Sequence, residues 1–172
     1  QIFGKVYFPR LVVPFSIVIS NMIKLGIQFL LFLVVYIYYS VELGGFDINW
    51  TILLTPLLVV MLACLGLGFG LVISSMTTKY RDLRFLVSFG VQLWMYATPV
   101  IYPLSVMKQN YPDKIWVIVA NPLTAITETF KYGFTGVGVF EWSYLLYSLS
   151  FTIVILLLGI VIFNRTQKNF MD

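Results

Sequence analysis

The chain has 172 residues, 60% of them hydrophobic and only 10% charged, with a mean hydropathy of +0.93. A soluble domain of this size cannot hide that much apolar surface. Lipid is therefore the solvent for most of the chain, and apolar runs near 20 residues point to spanning helices rather than to the ~10-residue alternating strands of a barrel. The net charge of +4 falls in short loops and forms no stripe, which fits a topology signal and not a nucleic-acid footprint. There is no histidine, so the commonest general base and metal ligand is missing, and the acidic residues show no spacing that suggests a dyad or a metal cage. The single cysteine, Cys64, lies in an apolar run and reads as a small packing residue. The chain begins at Gln1 without an initiator methionine or a signal-peptide layout, and is read as a piece of a longer protein.

Residues 1–10, QIFGKVYFPR, mix aromatic and basic side chains. One reading is an interfacial anchor, with Lys5 and Arg10 facing phospholipid while Val6, Tyr7 and Phe8 sink among the headgroups; the other is a docking element for a soluble partner. The first span is expected over 11–39, starting near Pro14, since proline is tolerated in a helix's first turn. Ser16, Ser20, Asn21, Lys24 and Gln28 recur at three- and four-residue spacing and put a polar stripe on one face. Lys24, the only charge well inside an expected span, either snorkels to the inner surface or lines a conduit.

An acidic, glycine-containing turn free of Lys and Arg, ELGGFDIN at 42–49, reads as an outer loop in which Asp47 or Asn49 caps the next helix, expected over 50–75. Within that helix Ala63, Gly66, Gly70 and Ser74 form a small-residue stripe for close helix approach. Residues 78–103, TKYRDLRFLVSFGVQLWMYATPVIYP, pass from the charged cluster of Lys79, Arg81, Asp82 and Arg84 into a span over 83–102. Trp94, Tyr96 and Tyr102 lie at its far end, where rings favour the membrane–water boundary. The apolar run 115–120 and the amphipathic stretch capped by Asn121-Pro122 are each too short to cross, so 115–132 reads as a re-entrant or interfacial hairpin on the outer side. The last span runs over 142–163 and is stopped by Arg165 and Lys168. Lys5, Arg10, Lys79, Arg81, Arg84, Arg165 and Lys168 then lie inside, against Lys108, Lys114 and Lys131 outside. Four spans with both ends cytoplasmic satisfy the charge rule.

Four segments in order, KVYFPR at 5–10, KYRDLRFLVSFGVQLW at 79–94, TPVIYPLS at 98–105 and NPLTAITETFKYGF at 121–134, closely resemble the permease subunits of type 2 ABC exporters, nearest to the branch that exports O-antigen, teichoic acid and capsule polysaccharides. The resemblance covers essentially the whole chain. It implies an all-α integral membrane protein: a fragment of a six-span permease holding four transmembrane helices, an N-terminal cytoplasmic coupling segment and an outer re-entrant helical hairpin. It implies that Lys5, Val6, Tyr7, Phe8, Pro9 and Arg10 pack on an ATP-binding subunit, which overturns the anchor reading, and that Tyr80, Arg81 and Asp82 form a cytoplasmic loop or gate. Two copies of the permease would face each other in the bacterial inner membrane and pass a lipid-linked polysaccharide between them. Aromatic rings and few charges can hold a sugar polymer loosely enough to slide, and Trp94, Tyr96, Tyr102 and Trp116, with Lys24, are the candidate lining. Each ring has a plainer reading as part of the interfacial belt.

The chain contains no Walker A sequence, so no cofactor is expected in it, and ATP and Mg belong to the partner subunit. Export of another substrate, such as a drug or haem, is the neighbouring alternative. An ion-coupled secondary transporter would require paired intramembrane carboxylates or an inverted repeat, and a membrane-embedded glycan transferase a surface base, for which Asp82 and Glu128 are the only candidates. Asp82 is more simply a helix cap beside Arg81.

Overall fold

The computed structural model describes residues 11–42, 45, 48–80, 82–100, 102, 104–110, 113 and 115–168. The expected coupling residues Lys5, Val6, Tyr7, Phe8, Pro9 and Arg10, and Arg81 of the cytoplasmic loop, lie outside them. Among the described residues there is no strand. The helices are α1 (Val12–Glu42), α2 (Thr55–Lys79), preceded by a 3-10 turn at Trp50–Leu54, α3 (Leu83–Ala97), α4 (Leu104–Asn110), α5 (Ile115–Val119), α6 (Pro122–Thr135) and α7 (Trp142–Lys168). Among the described residues three segments are long and apolar enough to cross a membrane: Val12–Glu42, Trp50–Thr78 and Trp142–Thr166. The described part is thus all-helical, with the make-up of a multi-pass membrane protein.

The centre of the molecule is the pair α2 and α7, and its geometry follows from small residues. On α2, Leu58, Met61, Leu65, Gly68, Leu71 and Ser75 recur at three- and four-residue spacing and are all buried; on α7 Leu145, Ser148, Thr152, Gly159 and Phe163, at spacings of three, four and seven, are buried as well. A Cβ on Gly68 would come 3.0 Å from the backbone of Ile155, and one on Gly159 would come 2.6 Å from the carbonyl oxygen of Gly68. Two backbones approach that closely only where neither carries a side chain, and in lipid the van der Waals packing of such surfaces is what holds helices together. The hydroxyls on these faces do not go unpaired: Ser75 donates to the Leu71 carbonyl (2.8 Å) and Thr152 to the Ser148 carbonyl (2.7 Å). The small-residue stripe Ala63, Gly66, Gly70 and Ser74, expected to pack on another helix, turns out to face elsewhere. Nothing lies within 4 Å of a Cβ placed on Gly66 or Gly70, and this face lines an open groove of ≈ 350 Å³ opposite Pro14, Ile17 and Asn21 of α1.

Helix α3 differs most from expectation. It stops at Ala97 rather than at Tyr102, because Thr98 precedes Pro99 and takes an extended conformation (φ −92°, ψ 134°), its hydroxyl and amide both donating to the Trp94 carbonyl. Its 15 residues give about 22 Å of rise, short of the ~30 Å hydrocarbon core. Asp82 stands at its N-cap position but makes no side-chain cap bond. Of the two expected caps of the second span, Asp47 lies outside the described residues and Asn49 makes no cap bond. It instead docks that end on α6, its side-chain amide donating to the Tyr132 carbonyl (3.1 Å) and its backbone amide to the Gly133 carbonyl (3.1 Å).

Candidate functional site

Helices α5 and α6 follow one another closely, and the join between them is held from α3 and from α7. Asn121, extended, caps α6 by accepting from the Leu123 amide (3.0 Å), with Pro122 in the first helical position. The same Oδ1 accepts from Trp94 Nε1 (3.0 Å), and Asn121 Nδ2 donates to Thr98 Oγ1 (2.9 Å). One side chain therefore fastens the start of α6 to the end of α3. From α7, Tyr147 donates to the Ala120 carbonyl (2.9 Å) and buried Ser148 to the Pro122 carbonyl (2.6 Å).

These contacts also set the depth of the hairpin. Ser148 is six residues past the start of α7 at Trp142, about 9 Å along the axis. The other end of α6 lies beside the first turn of Trp50–Leu54, where a Cβ on Gly133 would stand 3.1 Å from the Ile52 amide. Helix α6 thus rises from inside the bundle towards the end where the chain enters α2 and α7. It closes there on Gly136, whose φ of 69° suits a residue without a Cβ.

Halfway up α6 lies a second node. Glu128 is 1% exposed; its Oε1 meets Lys131 Nζ at 3.3 Å and its Oε2 accepts from the Val139 amide at 3.2 Å. Lys131 Nζ also donates to the Pro99 carbonyl and, at 3.4 Å, to the Tyr102 carbonyl. Burying a carboxylate costs several kcal/mol even after relaxation, so it persists only where each oxygen has a partner, as here.

Helix α1 joins the bundle through rings. Phe29, Phe32 and Tyr36 pack on Phe130 and Phe134 with centroids 5.2–6.4 Å apart, mostly edge to face, and Tyr36 donates to the Phe134 carbonyl (2.7 Å). Beside this cluster a mostly apolar cavity of ≈ 420 Å³ opens between α1, α2 and α6, with Gln28, Thr55 and Thr127 among its lining. Where the chain enters α2 and α7, Trp50, Phe140, Trp142 and Tyr132 make a further chain of ring contacts at 5.2–6.0 Å.

The sequence-derived site residues fall in different places. Trp94 is half-buried, edge-on to Phe69 (4.8 Å, 89°) and bonded to Asn121. Tyr96 is exposed, and its carbonyl accepts from the half-buried Tyr102 (3.4 Å). Trp116 is exposed on α5. Lys24 is exposed on α1 and reaches Asn21 Oδ1 at 3.5 Å; neighbouring Ser16 and Ser20 bond back to their own helix. Tyr80 and Asp82 are exposed at the α2–α3 turn. Asn121 was legible as a cap, but its links to Trp94 and Thr98 were not. The Glu128–Lys131 pair carried a signal, opposite charges three residues apart, and its burial is what makes it consequential.

Comparison with known proteins accords with this architecture. Residues 2–135 match the family described as ABC-2 type transporter. Two proteins of Klebsiella pneumoniae named O-antigen export system permease protein RfbA are 28% and 26% identical over the whole of this chain, which spans 63% of the length of each. A protein of the same name from Myxococcus xanthus is 29% identical over 74% of this chain and 46% of its own length. With most of its length matched by that family and all of it by those permeases, this chain belongs to the ABC-2 type transporter family.

Proposed function

We propose that the chain belongs to the membrane-spanning, non-catalytic subunit of an ATP-driven exporter that moves a lipid-linked polysaccharide of the O-antigen kind across the bacterial inner membrane. The observation that carries this reading is the similarity of the whole chain to permeases named for O-antigen export. In this reading α3 and the turn after it complete a fourth crossing, both ends of the chain are cytoplasmic, and two copies work together with ATP-binding subunits. Closure of those subunits pushes on Lys5 to Arg10 and on the loop of Tyr80, Arg81 and Asp82. The α5–α6 hairpin then borders the outer exit, where rings such as Tyr96, Tyr102 and Trp116 offer the CH faces of sugars a surface without tight binding.

Depleting the complete gene product in its native host tests the reading. Surface polysaccharide should fall at least tenfold while lipid-linked glycan accumulates on the cytoplasmic side. A photo-crosslinking residue in place of Tyr7 should capture an ATP-binding subunit at a yield that changes with nucleotide. Surface glycan that persists at the wild-type level, or capture of lipid alone, would overturn it.

A further inference from the structure

The Glu128–Lys131 pair is more than two opposite charges in contact. Each charge is also matched to backbone groups of fixed polarity on separate segments: the ammonium to the carbonyls of Pro99 and Tyr102, the carboxylate to the Val139 amide. The ammonium has three hydrogens and meets three acceptors, counting Glu128. Both segments need the help. The turn after α3 contains Pro99, which cannot continue a helical ladder. The stretch after α6 passes through Gly138 at φ 154°, where a Cβ would stand 3.1 Å from the Glu128 carbonyl, so this part of the chain lies directly on the turn of α6 that bears the pair.

We propose that Glu128 and Lys131 are positioning residues that pin the Pro99–Tyr102 turn and the Val139 segment to α6, and so hold the outer end of the transport path in shape. The part of this that concerns export rests on the proposed function above; the pinning does not. The mechanism differs from an ordinary ion pair in one testable respect: it is not symmetric. Exchanging the two residues would keep their mutual attraction but set a carboxylate against two carbonyl oxygens and an ammonium against an N–H.

The experiment is hydrogen exchange on the complete gene product in lipid nanodiscs, with export measured in cells at matched membrane levels. Lys131→Met should speed exchange of the Thr98 and Val100 amides about tenfold and leave α2 and α7 unchanged, with export reduced at least fivefold. Lys131→Arg, which keeps a cationic donor, should recover most of both. The exchanged double variant, Glu128→Lys with Lys131→Glu, should stay as fast as Lys131→Met. Wild-type exchange at the turn in Lys131→Met, or full recovery in the double variant, would sink the proposal; so would fast exchange with undiminished export. A wild-type protein that exports no glycan would sink the functional reading instead, since the exchange readout does not depend on it.

Discussion

Asn121 shows how much one polar side chain does when its surroundings are apolar. It caps α6, holds the Trp94 indole and donates to the Thr98 hydroxyl. Asn121→Ala should cost about 1 kcal/mol for the lost cap and about 1–3 kcal/mol for each polar group left unpaired. Asn121→Asp keeps the acceptor for Leu123 and Trp94, gives up the donor towards Thr98, and adds a charge that the helix N-terminus and the indole N–H largely offset. The thermal midpoint in detergent should therefore drop by many degrees in the first variant and by a few in the second; equal midpoints would refute the network. A cap signature is local, so the Asn121-Pro122 pair could be read from sequence. The partners of the same side chain sit 27 and 23 residues away, and no periodicity reports a contact of that range. The aromatic candidates suffered likewise: composition marks a ring, but whether Trp94 meets Phe69 or a conduit depends on the rotation of two helices.

At the level of elements, apolar length marks the three helices among the described residues that are long enough to cross, because hydrocarbon thickness imposes it. The face each presents was harder. Both Gly66/Gly70 and Gly68 fit a small-residue rule, and only Gly159 on the facing helix decides between them. Gly159→Ala places a methyl group where the Gly68 carbonyl already stands and should destabilise the α2–α7 pair by about 1–3 kcal/mol. Gly66→Ala points into open space and should shift the midpoint little. Thermal unfolding of both variants in detergent checks this, and a reversed order would mean that the helices pack on the other stripe. The end of α3 was within reach of the sequence, since Pro99 bars its predecessor from helical conformation; an apolar run continuing past the proline hid it.

For the whole molecule the proposed function calls for four crossings, while α3 alone is about 22 Å long; in that reading the turn that begins at Pro99 lies in the membrane's outer half. In a Cys64→Ala background, a cysteine at Gln109 should react with an impermeant maleimide in intact cells, and one at Thr166 only after permeabilisation. Labelling of Thr166→Cys from outside, with Gln109→Cys protected, would mean that α3 turns back, and would also contradict the entry of α2 and α7 at one end of the bundle.

Helix α1 is secured unevenly. Its rings from Phe29 to Tyr36 are seated on α6, whereas its first three turns flank the open groove along α2. From Val12 to the seat at Phe32 is 20 residues, about 30 Å of rigid rod. Phe32 lies about two-thirds of the way along α1, so the longer arm of the rod runs beside α2. A tilt of roughly 10° about the rings carries the Val12 end through about 5 Å and widens or shuts the groove, while the seat itself barely moves. In the proposed exporter, force applied at the amino-terminal side of α1 would be geared into a gap between helices rather than into a shift of α6.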